Sequence, residues 1–180
     1  MFRKGIVLGA LGMLLMIPSF SKAAVNNPWE ITIGGGGSNS NDFNGFTANV
    51  NGSIGYYFSE NLELSVRQSL QYSDVSGGGS SGGGSSWDGS TRVALDLHFP
   101  MGPNGNIVPY IGANVGYVYG QTVSDTWEAA PEAGVKVYLN STTFVFASAE
   151  YQFFFDKASH ASDSFSDGQF VYTIGLGFRF

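Results

Sequence analysis

Phe170-Val171-Tyr172-Thr173-Ile174-Gly175-Leu176-Gly177-Phe178-Arg179-Phe180 closes the chain, and its period is two. The large apolar residues Phe170, Tyr172, Ile174, Leu176, Phe178 and Phe180 alternate with Val171, Thr173, Gly175, Gly177 and Arg179. In an extended strand successive side chains point to opposite faces, so this run has one bulky apolar face and one small or charged face.

The same alternation recurs upstream. Leu62, Leu64 and Val66 interleave with Glu63, Ser65 and Arg67, and Val93, Leu95, Leu97 and Phe99 interleave with Arg92, Ala94, Asp96 and His98. It holds again through Val50, Ile54, Tyr56 and Phe58, through Ile111, Val115, Tyr117 and Tyr119, through Val135, Val137 and Leu139, and through Val145, Tyr151, Phe153 and Phe155. With the segment around Trp29, Ile31 and Ile33, eight strands are expected, near 28 to 37, 45 to 58, 62 to 73, 90 to 99, 107 to 119, 129 to 139, 143 to 155 and 169 to 180. Pro131 cannot donate to a ladder, so the sixth strand is expected to begin just after it.

The connections alternate in length. Those at 59–61, 101–106 and 140–142 are short, whereas 38–44, 74–89, 120–128 and 156–168 are longer, the second being a flexible Gly/Ser-rich loop that contains Gly77 to Ser86. Short turns at one end and long loops at the other are the pattern of an eight-stranded antiparallel up-and-down transmembrane β-barrel with short periplasmic turns.

The N-terminus points to export. Arg3 and Lys4 precede an apolar run from Gly5 to Ile17, and Ser21-Lys22-Ala23 supplies small residues for cleavage, which reads as a signal peptide over 1–23 followed by a barrel over 24–180. The 13-residue run is short of the roughly 20 residues that a membrane helix needs. No cysteine follows it, which excludes a lipid-anchored lipoprotein, a disulfide framework and a thiolate metal site. Removal of Arg3, Lys4 and Lys22 leaves 5 bases against 14 acids, a balance that excludes nucleic-acid binding through a basic patch.

Polarity decides which face meets lipid. One face carries Glu30, Glu63, Arg67, Arg92, Asp96, Lys136, Glu150 and Arg179. Outward, each of these charges would cost about 2 to 4 kcal/mol near the bilayer midplane, whereas inward they can pair. An eight-stranded barrel is just wide enough for its own side chains to fill it, so the eight are expected to form a lumen charge network, with Gly112, Gly116, Gly134, Gly175 and Gly177 making room. Two aromatic girdles are expected on the outer wall: Trp29, Phe58, Phe99, Tyr138 and Phe178 at periplasmic strand ends, and Phe46, Tyr72, Trp87, Tyr119, Trp127, Phe153 and Phe170 at outer ends. A soluble β-barrel would share the alternation, but the outward aromatic load and the loop alternation favour lipid.

The terminal run, in which Tyr172, Ile174, Leu176, Phe178 and Phe180 lead to a final aromatic residue, resembles the signal by which outer-membrane barrels are recognised by their assembly machinery. Pro109-Tyr110-Ile111-Gly112-Ala113-Asn114-Val115-Gly116 and Ala133-Gly134-Val135-Lys136-Val137-Tyr138-Leu139 resemble strands five and six of the small OmpA-like outer-membrane barrels. The resemblance implies residence in the outer membrane of a Gram-negative bacterium and a barrel domain alone, without the periplasmic peptidoglycan-binding domain that many such proteins append.

No catalytic, cofactor or metal site is expected. Gly34 to Gly37 lacks the lysine and helix of a phosphate loop. His160-Ala161-Ser162, with Asp163 or Asp167, has the spacing of outer-membrane lipid A deacylases, but it falls in a loop and position 174 is Ile. His98 reads as a lumen residue near the periplasmic end. Asp42, Asp74, Asp88, Asp125, Glu128, Asp156, Asp163 and Asp167 are expected to make an acidic outer rim without calcium-loop spacing. The expected role is a non-enzymatic envelope-structural or surface-interaction one through the outer loops. A narrow ion or small-solute pore and a lipid A-modifying enzyme are the alternatives. Expected partners are outer-membrane lipid and lipopolysaccharide, the barrel-assembly machinery and an unknown ligand at the loops; closure makes a monomer the default.

Overall fold

The computed structural model describes residues 26–39, 45–75, 84–121, 126–155 and 168–180. Among them lie eight strands: β1 (Trp29–Asn39), β2 (Gly45–Tyr57), β3 (Leu62–Val75), β4 (Gly84–His98), β5 (Ile107–Gly120), β6 (Thr126–Tyr138), β7 (Thr143–Phe155) and β8 (Gln169–Arg179). Each pairs antiparallel with its neighbours in sequence, and β1 closes on β8, with Glu30 opposite Arg179 and Gly35 opposite Ile174. The result is the closed eight-stranded barrel that the alternation predicts.

β1 runs two residues past its expected end, to Asn39, and the departures of β3, β4 and β6 bear on the lumen. β3 runs on to Val75 and β4 starts at Gly84, so Asp74 and residues 84–89 belong to the ladder, not to a loop spanning 74–89; Tyr72 faces Trp87 and Asp74 faces Ser85. Gly and Ser give no apolar period to read, yet backbone pairing needs no side chain. Residues 76–83 lie outside the described residues. β6 begins at Thr126 and passes through Pro131 instead of starting after it. Pro131 pairs with Ala113 on β5, while pairing with β7 stops at Ala129–Phe153 and resumes at Glu132–Glu150. The missing N–H is thus confined to one side of the strand.

The short connections are built by their side chains. Ser59 Oγ accepts from the amide of Leu62 at 3.1 Å, and Asn140 Oδ1 accepts from the amides of Thr142 and Thr143 at 2.9 and 2.8 Å, a side-chain mimic of a backbone turn. Gly102 and Gly105 supply the positive φ values, 87° and 63°, that reverse the chain between β4 and β5.

The two faces follow the parity in the sequence. Outward side chains are large and exposed, Ile174 reaching 71%, with Ile33, Val50, Leu70, Leu95 and Ile111 in the same belt. Aromatic pairs mark both ends of it: Trp29 with Tyr56 and Tyr56 with Phe58 at 5.0 and 5.2 Å below, Tyr72 with Trp87 and Tyr117 with Trp127 at 4.8 and 5.5 Å above. One expected girdle residue is elsewhere. Tyr138 shares the inward parity of Lys136 and packs on the buried Phe144 at 5.0 Å, because β6 carries its outward residues at odd positions. The side chain of Phe46 lies outside the described set.

Inside, absent side chains make room for present ones. A Cβ on Gly112 would strike the Asp96 carboxylate, and one on Gly116 would strike the Arg92 stem and the carbonyl oxygen of Thr91. Gly134 makes room for the Tyr110 ring, and Gly175 and Gly177 make room for Phe146 and Phe144. The glycine stripe thus accommodates charged groups as expected, and also an inward aromatic cluster that the alternation left unread.

Candidate functional site

The candidate site is the lumen, where inward side chains from all eight strands meet. Glu30 begins the lower tier, nearest the short turns. Its Oε1 lies 2.6 Å from Lys136 Nζ, and Lys136 reaches Glu63 Oε2 at 2.9 Å. Lys136 also donates to Tyr57 Oη at 3.0 Å, while that hydroxyl donates to Glu30 Oε2 at 2.9 Å. The ammonium stands over the Phe144, Tyr57 and Tyr110 rings at 5.2, 5.5 and 5.6 Å, where the ring faces stabilise a cation. His98, 1% exposed, places Nε2 3.4 Å from both Glu63 Oε2 and Tyr57 Oη.

Arg67 forms the middle tier. It holds Glu132 with both terminal nitrogens, at 2.6 and 2.8 Å, and Asp96 Oδ2 at 2.6 Å, using the planar fork that suits carboxylates. Asn114 Nδ2 donates to Glu132 Oε2 at 2.9 Å and to Glu150 Oε2 at 3.1 Å, which joins this tier to the next. In the upper tier Arg92 Nη1 donates to both Glu150 oxygens at 2.8 and 2.7 Å, and Nη2 donates to Ser69 Oγ at 2.8 Å.

Seven of the eight residues expected in the network therefore ion-pair across the lumen: Glu30, Glu63, Arg67, Arg92, Asp96, Lys136 and Glu150. Arg179 does not join them. Its Nε donates to the carbonyl of Asn27 at 2.9 Å and its guanidinium lies 3.9 Å above the Tyr57 ring, because its place near the end of β8 puts it below the lower tier.

Two members were missed, Glu132 and Glu128. Both share the even parity of Lys136; Glu132 falls inside the expected sixth strand and its parity alone marks it, whereas Glu128 needs the strand extended back past Pro131. Glu128 and Asp88, expected on an exposed outer rim, are instead buried on inward positions of β6 and β4, since both strands start earlier than their periodicity shows. Asp74 lies in β3; Asp42, Asp125, Asp156, Asp163 and Asp167 lie outside the described residues, as do His160 and Ser162. Among the described residues no three histidine or carboxylate groups converge as a metal site.

Cavities lie at three heights among the described residues. An outer one of about 150 Å³ and a middle one of about 50 Å³ share Asn51, Arg92, Glu150 and Thr173 as walls. A third, about 510 Å³, opens at the turn end beneath Tyr57 and His98 and shares no wall residue with the middle one. The lower tier separates them. The charged groups come from β1, β3, β4, β6 and β7, while β2 and β8 line the middle cavity with Asn51, Gly52, Ser53 and Thr173 and β5 adds Tyr110.

No protein-family model matches this sequence, and no curated protein matches it. Solved structures do. The N-terminal barrel domain of Pseudomonas aeruginosa OprF aligns over 86% of this chain and 98% of its own, at 22% identity and a TM-score of 0.55. The outer-membrane protein OprG of the same organism aligns over 85% and 96%, at 16% identity and 0.57. Neisserial surface protein A aligns over 84% and 96%, at 13% identity and 0.52. The chain shares the fold of these small outer-membrane barrels, the architecture that its resemblance to OmpA-like proteins implied.

Proposed function

We propose that this protein is exported with a cleaved leader over 1–23, resides in the outer membrane of a Gram-negative bacterium, and serves there as a non-enzymatic anchor whose outer loops present an interaction surface. The observation that carries the reading is the inverted polarity of the barrel: Ile174, Tyr172 and Phe170 stand outward and exposed while Glu30, Arg92 and Lys136 are buried and paired. An apolar belt this continuous is far larger than the patches soluble monomers expose, and it suits lipid and lipopolysaccharide chains. The C-terminal strand ending in Phe178 and Phe180 suits recognition by the assembly machinery, and closure by β1 and β8 leaves no free edge to drive oligomerisation.

A narrow pore is the second reading, favoured by the shared walls of the outer and middle cavities. Conductance of the refolded protein in a planar bilayer, after a heat-dependent gel shift shows that it has folded, separates the two. The anchor reading expects a folded, silent barrel. Discrete openings that change on Arg92→Gln or Glu150→Gln would replace it with the pore. A lipid A-modifying activity has no support among the described residues, and His160→Ala is expected to leave lipid A unchanged in cells expressing either form.

A further inference from the structure

The outer cavity holds three carboxylates, Asp88, Glu128 and Glu150, against one cation, Arg92. Glu150 is fully engaged: it accepts from Arg92 Nη1, from Asn114 Nδ2 and from Gln152 Nε2. Arg92 in turn directs Nη1 at Glu150 and Nη2 at Ser69. Glu128 is left with less, the Ser90 hydroxyl and one long contact to Arg92. Its residue is 2% exposed, its Oε1 accepts no hydrogen bond, and the nearest cation is Arg92 Nε at 3.5 Å, which donates no hydrogen bond. A buried carboxylate oxygen without a donor is costly, and Glu128 lines a cavity whose other walls combine hydroxyl and amide groups, Ser69, Gln71 and Ser90 among them, with the apolar Leu70, Val118 and Phe154.

We propose that this cavity binds the ammonium head of a small primary amine, with Glu128 as its anionic anchor. An ammonium carries three donors and no acceptor, so it matches one open carboxylate oxygen surrounded by neutral oxygens such as those of Ser90 and Gln71. A guanidinium needs a free carboxylate edge, and that of Glu150 is taken by Arg92. A dehydrated divalent metal needs several converging carboxylates, which the described residues do not offer. The volume, about 150 Å³, admits a ligand of roughly six heavy atoms, the size of a short alkylamine or diamine. The site depends on the barrel and not on the role proposed for the outer loops.

The test is a titration of the refolded mature chain in detergent micelles with n-butylammonium and putrescine, followed in amide proton–nitrogen spectra, with sodium and tetramethylammonium chlorides at matched ionic strength. Saturable shifts centred on Ser90 and Glu128, absent with tetramethylammonium because it has no N–H, are expected. Glu128→Gln should weaken binding by about tenfold or more. Asn49→Lys, which brings a tethered ammonium to the same cavity, should abolish it and decides the matter should Glu128→Gln not refold. Absence of saturable shifts in a folded barrel, equal shifts with tetramethylammonium, or unchanged binding in the refolded variants would overturn the proposal.

Discussion

Near the short turns, Lys136 is enclosed by Glu30, Glu63 and Tyr57 and jacketed by Phe144, which is 0% exposed, with Phe146 and Tyr110 beside it. Nearer the outer loops, Arg92 has a single close carboxylate partner, a serine, and an adjoining cavity. The two halves of the lumen bury the same kind of charge in different media. In the lower half rings exclude water and every ion-pair atom of Lys136 is committed, whereas in the upper half amides, hydroxyls and open volume leave Glu150 supported even without its cation, through Asn114 and Gln152. Low-dielectric surroundings make an unpaired charge expensive, so the lower tier is the stiffer septum and the upper tier the more forgiving one.

That contrast is broken most directly at Lys136. Lys136→Met strands Glu30 and Glu63 among aromatic rings and is expected to cost about 3 to 5 kcal/mol, measured by denaturant unfolding of the refolded protein in detergent, while Arg92→Met should cost clearly less. Equal losses, or the reverse order, would mean that the rings do not insulate the lower tier. The contrast between the inner and outer walls is next. Ile174→Arg, at the middle of β8 and fully outward, should cost about 2 to 4 kcal/mol in lipid vesicles, and the same change at the belt's lower margin, Phe58→Arg, about 1 kcal/mol or less. A flat response with depth would argue against a membrane setting for the belt. The smallest effect belongs to the ladder. Pro131→Val restores a donor facing β7 and should stabilise the barrel by about 1 kcal/mol, with slower amide exchange at Tyr151, the residue opposite, as the local readout.

Much of this was legible in the chain. Ile174, Leu176 and Phe178 announce an outward face because the strand pleat is local, and Arg67, Arg92 and Lys136 announce an inward one by the same parity. Glu128 and Asp88 were misplaced because the periodic apolar residues of β6 and β4 give out before the hydrogen-bonded ladder does. Tyr138 and the buried pair Phe144 and Phe146 were not recognised as lumen residues because an aromatic side chain carries no label for lipid or interior; only its place in the alternation, and space at Gly175 and Gly177, decides.

By itself the sequence determined that eight strands alternate in polarity and that charge belongs inside, since both follow from a two-residue period and the cost of charge in hydrocarbon. Which inward groups meet was decided only by the closed barrel. Lys136 finds Glu30 across 106 positions and Arg92 finds Glu150 across 58, and those meetings depend on strand tilt and on the register at which β8 closes on β1, geometry that no single strand contains.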